Sequence, residues 1–254
     1  MQISGITALV TGAASGLGAA TAAALAAEGA SVIGLDLPSA VEAHAGKNRA
    51  GIRLVGADVT SEEAVLAALS TIGATDPPLR LAVNCAGIAP ARRIISSKGA
   101  HELGLFEKTI SINLVGTFNV LRLAAEVIAR AEPDEDGQRG LIVNTASIAG
   151  YEGQIGQIAY AASKGGVIAM TLPAARDLAR YGIRVNTIAP GIVDTPLLAA
   201  LGEEVNASLA AGVPFPHRLA RPEEYAKLVL MIAQHDYING ETIRLDGALR
   251  MAPQ

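Results

Sequence analysis

Seven short runs rich in Val, Ile and Leu recur along the chain, at Thr7–Thr11, Ser31–Asp36, Ile52–Asp58, Leu81–Asn84, Leu141–Thr145, Arg184–Ile188 and Thr242–Leu245. Their apolar character is continuous rather than alternating. That pattern marks strands covered on both faces, as in a parallel sheet. Stretches of helical character separate most of them, at Leu17–Ala27, Ser61–Ile72, Leu105–Ala131, Tyr160–Tyr181 and Pro222–Gln234. The last has proline in a first-turn position followed by Glu223 and Glu224, where a helix dipole favours negative charge. Such alternation implies right-handed crossovers and an α/β fold, a doubly wound parallel sheet with helices on both faces. No composition shift divides the 254 residues, so residues 1–254 are expected to form a single domain.

Composition excludes several function classes. Lys and Arg number 20 against 24 Asp and Glu, a net charge of −4, which argues against a nucleic-acid groove built from clustered cations. Half the residues are hydrophobic, too many for a disordered chain. The single cysteine, Cys85, permits no intrachain disulfide and points to a reducing compartment. Four dispersed histidines, His44, His101, His217 and His235, lack metal-ligand spacing, so no metal is expected. Met1–Ala27 carries no charged side chain, yet it has no basic leader and contains Gly5, Gly12, Gly16 and Gly18. It therefore reads as strand, turn and helix rather than signal peptide or membrane span, and a cytoplasmic protein is expected.

A doubly wound sheet binds ligands outside the carboxyl ends of its strands, near the topological switch point. Two irregular stretches follow strands on that side and are candidate substrate loops, Pro90–Gly104 and Gly191–Arg221. The acidic stretch Glu132–Gly140 precedes a strand and belongs to the opposite rim as a solvated loop.

The first strand runs into Thr11-Gly12-Ala13-Ala14-Ser15-Gly16-Leu17-Gly18 and then a helix. Glycines there allow a tight turn and bring backbone N–H groups close to a diphosphate at the helix N-terminus, a Rossmann-type arrangement. Asp36 ends the second strand, 18 residues past Gly18, where a carboxylate accepts from adenosine ribose hydroxyls. Its charge repels a 2′-phosphate and no basic residue in the turn compensates, so NAD is favoured over NADP. Asp58 either meets the adenine amino group or belongs to a turn in which Thr60 or Ser61 caps the next helix, with Glu63 as capping-box partner. Asn84-Cys85-Ala86-Gly87 closes the fourth strand with small residues against which a cofactor can lie, and Cys85 is expected to pack rather than react.

The constellation richest in chemistry is Tyr160-Ala161-Ala162-Ser163-Lys164, with Ser147 thirteen residues before the tyrosine. At i and i+4 of a helix the phenol and ammonium share a face, so the cation is expected to lower the phenol pKa and make a general base for an alcohol proton. Ser147, just past the fifth strand, would hydrogen-bond the substrate oxygen. Asn113, a polar residue inside a long apolar helix, is either a fourth member or a side chain bonded to nearby backbone. Pro190-Gly191, followed by Asp194-Thr195-Pro196, reads as a loop able to close over a nicotinamide or as a plain turn.

Together these residues resemble the short-chain dehydrogenase/reductase family over essentially the whole chain. Segments outside the shared motifs resemble its subgroup of type II 3-hydroxyacyl-CoA and 17β-hydroxysteroid dehydrogenases, among them Asp36-Leu37-Pro38, Ala57 to Glu62, Gly137 to Gly140, Thr171-Leu172-Pro173, Val213 to Pro216 and Asn239 to Ala248. The resemblance implies NAD-dependent interconversion of short-chain (S)-3-hydroxyacyl-CoA with 3-oxoacyl-CoA, some activity on hydroxysteroids, and a homotetramer. A hydroxysteroid or other secondary-alcohol dehydrogenase and a non-catalytic NAD-responsive scaffold are the alternatives. It further implies cofactor contacts at Ser15, Leu17, Asp58, Val59, Cys85, Pro190, Gly191, Val193 and Thr195, a substrate-facing Gln154, and an Asn113 that holds a water beside the lysine. Val193 and Asp194 depart from the phenylalanine and glycine found there in the subgroup, which leaves acyl-chain preference open. Arg92, Arg93 and Lys98 either meet CoA phosphates or are solvated.

Overall fold

A computed structural model describes residues 1–45, 50–199 and 208–253. Strands β1 (Thr7–Thr11), β2 (Ser31–Asp36), β3 (Ile52–Gly56) and β4 (Leu79–Asn84) alternate with helices α1 (Gly16–Ala27), α2 (Pro38–Glu42) and α3 (Glu62–Leu69). A two-stranded hairpin, β5 (Ile95–Ser96) and β6 (Gly99–Ala100), leads into α4 (Leu103–Ile110) and α5 (Gly116–Ile128). The second half comprises β7 (Gly140–Thr145), α6 (Ile158–Ala179), β8 (Ile183–Pro190), α7 (Pro196–Ala199), α8 (Pro222–Gln234) and β9 (Thr242–Leu245). The main sheet has the order β3-β2-β1-β4-β7-β8-β9 and every pairing in it is parallel. The direction of winding therefore reverses between β1 and β4, and the switch point falls beside the glycine turn.

Side-chain alternation along the strands divides the core into two layers. Leu9, Ile33, Ala82 and Ile142 face a layer completed by Val65 of α3, Val120 and Ala124 of α5, and Ala175 of α6. Val10, Val32, Val83 and Val143 face the other, with Ala22 and Leu25 of α1 and Tyr225, Val229 and Ile232 of α8. Both faces of the central strands are thus dry, which is why their sequences read as unbroken apolar runs.

Two departures from the sequence reading have local causes, and one open alternative is decided. The long helix expected over Leu105–Ala131 is two α-helices joined by a π-helical turn, Ser111–Val115, in which Asn113 is fully buried. The stretch expected to be irregular at Pro90–Gly104 contains the hairpin, turned at Gly99 with φ of +98°. Ser61 rather than Thr60 caps α3, accepting from the Ala64 N–H, while Thr60 is held by Asp58. The helical run Leu103–Ile128 is long and apolar enough to cross a membrane, but half of its most apolar stretch is buried, and α5 faces the first core layer as a core helix does.

Close approach of α1 to the preceding turn requires glycine at position 18, where a Cβ would lie 2.2 Å from the Gly12 carbonyl oxygen, a backbone atom unable to yield. Gly18→Ala is expected to lower unfolding free energy by about 1–3 kcal/mol, as overpacking does. Urea denaturation checks this, and an unchanged midpoint contradicts it.

Candidate active site

The carboxyl ends of β1, β2, β4, β7 and β8 form one rim. At β1 the turn takes positive φ at Gly12 (+67°) and Gly16 (+52°), the left-handed region that favours glycine. Ser15, at the N-cap of α1, makes no side-chain capping bond, so among the described residues that helix end can receive an anion. Asp36 reaches across from β2: one carboxylate oxygen accepts from Ala14 N–H at 2.9 Å and the other from Leu37 N–H at 2.9 Å. Thr11 joins β1 to β4, its hydroxyl accepting from both Cys85 N–H and Ala86 N–H at 3.0 Å. Backbone at Cys85–Ala86 passes so close to Gly12 that a Cβ there would sit 3.1 Å from it. Thr195, in the loop after β8, lies over the turn, within 3.5 Å of where a Gly16 Cβ would be. A glycine cradle, an uncapped helix end and a carboxylate at the end of β2 fit a dinucleotide.

Further along the rim, Ser147 follows β7 and its hydroxyl accepts from Ala149 N–H, starting a single 3-10 turn. Helix α6 carries Tyr160 and Lys164 one turn apart, with the ammonium nitrogen 5.8 Å from the phenol ring centre. Lys164 is buried and donates to the Thr145 carbonyl at 2.8 Å. Burial brings its pKa down to about 8, partly opposed by the nearby Cys85 thiol. The expected depression of the Tyr160 phenol by Lys164 is absent: burial raises its pKa, and what pulls it back is a hydrogen bond with Ser147. The physical reason is desolvation of the buried phenol, while the ammonium donates to the Thr145 carbonyl.

Asn113 is committed to backbone. Its Oδ1 accepts from Ile88 N–H at 2.8 Å, and its Nδ2 donates to the Ile88 carbonyl at 2.9 Å and to Ser163 Oγ at 3.0 Å. It thereby fixes the chain beyond Gly87, where a Cβ would lie 3.1 Å from Asn113 Oδ1 and 3.6 Å from Lys164 Nζ.

Other expected residues are placed differently from one another. Asp58 accepts from Thr60 N–H and Oγ1, so its carboxylate shapes its own turn. Val59 is packed in the core, with its carbonyl accepting from Asn119. Asn84 is turned into the sheet by strand alternation and donates to Asn144 Oδ1 at 2.9 Å. Gly191, after Pro190, bonds to the Leu245 carbonyl, and Val193 and Asp194 bridge to Ala220. Gln154 donates to the Ala252 carbonyl in the C-terminal tail. Arg92 pairs with Glu102 at 3.2 Å, and its N–H bonds to the Gly156 carbonyl, which docks the hairpin loop beside the Ser147–Tyr160 segment. Part of the second expected substrate loop, 200–207, lies outside the described residues. Two residues at the rim were not singled out in the sequence, Thr145 and Tyr225, whose hydroxyls meet at 2.7 Å.

Comparison with known proteins agrees with this geometry. The family profile described as short chain dehydrogenase matches residues 6–206. The chain is 53% identical to 3-hydroxyacyl-CoA dehydrogenase type-2 of Bos taurus, covering 99% of this chain and 98% of that one. It is 54% identical to the protein of that name from Drosophila melanogaster, covering 99% and 100%. Among solved structures, 3-hydroxyacyl-CoA dehydrogenase type-2 from Mycobacterium avium superposes with a TM-score of 0.91 at 49% identity, covering 98% of each chain.

Burial of Lys164 has a consequence for stability. With its pKa near 8 in the folded protein and at the ordinary value, about 10.4, when unfolded, the unfolded chain binds more protons between those limits. This residue's contribution therefore improves as pH rises from about 8 to about 10.4, and the burial penalty is present in full below 8. Lys164→Met is expected to be more stable than the parent at pH 7 by a margin that shrinks at pH 10. Urea unfolding of both proteins at the two pH values checks this; a margin independent of pH contradicts it.

Proposed function

The chain belongs to the short chain dehydrogenase family, and from that premise we propose that it is an NAD-dependent dehydrogenase interconverting short-chain (S)-3-hydroxyacyl-CoA and 3-oxoacyl-CoA. The observation that carries the reading is the meeting of Ser147, Tyr160 and Lys164 at the rim that also holds the glycine turn and Asp36. Supporting the substrate class are the relatives named 3-hydroxyacyl-CoA dehydrogenase type-2, at 51–54% identity over nearly their full length.

In this reading Gly12, Ser15, Gly16, Leu17 and Gly18 cradle the diphosphate, Asp36 accepts from the adenosine ribose, and Ala86, Gly87, Pro190, Gly191, Val193 and Thr195 line the remainder of the cofactor groove. When bound, NAD supplies the carbon that accepts or returns hydride. Ser147 Oγ holds the substrate oxygen, and the Tyr160 phenol exchanges a proton with it. Because its surroundings keep the phenol protonated at neutral pH, Tyr160 is set to donate during ketone reduction, and alcohol oxidation is favoured as pH rises. Lys164 orients the ribose and supplies positive charge as the phenolate develops. Asn113 keeps the backbone at Ile88 in place and in this reading holds a water beside Lys164 on the proton path. A homotetramer belongs to the same reading, supported by exposed apolar side chains Val115, Phe118 and Leu172 on the long helices.

Two variants test it with acetoacetyl-CoA as substrate. Tyr160→Phe is expected to lower kcat by about 10²–10⁴-fold while NADH binding, followed by fluorescence, is retained. Undiminished turnover contradicts the assignment. Asp36→Ala is expected to narrow the preference for NADH over NADPH by about tenfold or more, the effect of roughly 1.4 kcal/mol of removed repulsion. An unaltered ratio contradicts the role given to Asp36.

A further inference from the structure

Helix α8 contributes Tyr225, which is completely buried on the α1 side of the sheet. Phenylalanine would fill that space equally well, and a buried hydroxyl is costly unless bonded, so the oxygen requires explanation. It lies 2.7 Å from Thr145 Oγ1 and 3.7 Å from Cys85 Sγ, and Thr145 Oγ1 lies 3.6 Å from the same sulfur. Read in one sense, Tyr225 donates to Thr145, Thr145 to Cys85, and Cys85 back to Tyr225, so each group in the ring both donates and accepts. Such closed buried networks are rigid because every member is satisfied.

The ring matters for what Thr145 does next. Its carbonyl accepts from the Lys164 ammonium at 2.8 Å. The lysine comes from α6, whose Ala175 packs in the other core layer, so the last residue of β7 is gripped from both faces of the sheet. We propose that Tyr225 is a positioning residue for Lys164: by fixing Thr145 from beneath, it holds the carbonyl on which the lysine ammonium rests. The proposal rests on the role given to Lys164 under Proposed function. Besides Tyr225 and Lys164, the titratable groups at this point among the described residues are Cys85, just past β4, and Tyr160 from α6.

The test uses the full chain with NADH and acetoacetyl-CoA, measuring kcat and NADH affinity for Tyr225→Phe, Thr145→Val and their combination. Each single variant is expected to lose about ten- to a hundredfold in kcat, the cost of a small misplacement. The combination should lose no more than either alone, because both break one linkage. Thr145→Ser, which keeps the hydroxyl, should restore most of the kcat lost in Thr145→Val. In a Lys164→Met background, Tyr225→Phe should leave the residual rate unchanged, since there is no ammonium left to place. An equal loss in that background overturns the proposal, as does a lower melting temperature with undiminished kcat. If the parent protein fails to turn over acetoacetyl-CoA, the functional reading fails instead. Nitrogen NMR of the lysine side chains then decides the positioning claim without substrate: Tyr225→Phe should shift the Lys164 resonance, and an unmoved resonance overturns it.

Discussion

Parallel pairing sets Thr11 of β1 level with Asn84 of β4, and Asn84 level with Asn144 of β7. Everything at the rim depends on that register. Thr11 secures it at the switch point by accepting from two consecutive amides of the neighbouring strand, leaving the chain at Ala86–Gly87 free of bulky side chains beside the glycine turn. One strand further on, the same register places Thr145 where it can receive Lys164 on its carbonyl and Tyr225 on its hydroxyl. A slip of one residue would turn these side chains to the other face of the sheet.

The electrostatics of the site follow from burial more than from charge pairing. Lys164 is held in low-dielectric surroundings against a neutral carbonyl, and Tyr160 is kept protonated by the same desolvation. Cys85 is likewise pushed up by burial, so its thiol stays a hydrogen-bonding group rather than a nucleophile. Charge is concentrated elsewhere, for instance where Glu224 accepts from Arg221 N–H and pairs with Arg218 at the start of α8, which holds its carboxyl down at about 2. At the rim itself Asp36 and Lys164 are bonded to backbone groups rather than to each other or to another charged side chain.

The central strands were readable because each is a continuous apolar run, whereas the edge strands β3 and β9, which read the same way, are only partly buried because each has a single neighbour in the sheet. The Gly-rich turn, Asp36, Ser147, Tyr160 and Lys164 stand out because their spacing is local or tied to strand ends. The π turn at Asn113 was not, since a helix that widens for one turn keeps the apolar composition of its neighbours. Nor was the ring of Tyr225, Thr145 and Cys85, whose members come from three elements as many as 140 residues apart. Tyr225 in sequence is one apolar position of an amphipathic helix, and only tertiary packing shows that its oxygen has work beyond filling space. Lys164 stands out in the sequence by its spacing from Tyr160, but its hydrogen bond to the Thr145 carbonyl depends on how α6 docks beneath β7, which no i, i+4 rule contains.

In the proposed reaction this rim passes hydride between a nicotinamide and the 3-position of an acyl thioester. The most direct measurement is product analysis after mixing the protein with NADH and acetoacetyl-CoA, beside a parallel reaction containing an oxosteroid. One equivalent of (S)-3-hydroxybutyryl-CoA is expected for each NADH consumed, with much slower consumption in the steroid reaction. NADH that binds but is consumed only in the steroid reaction would contradict the proposed reaction.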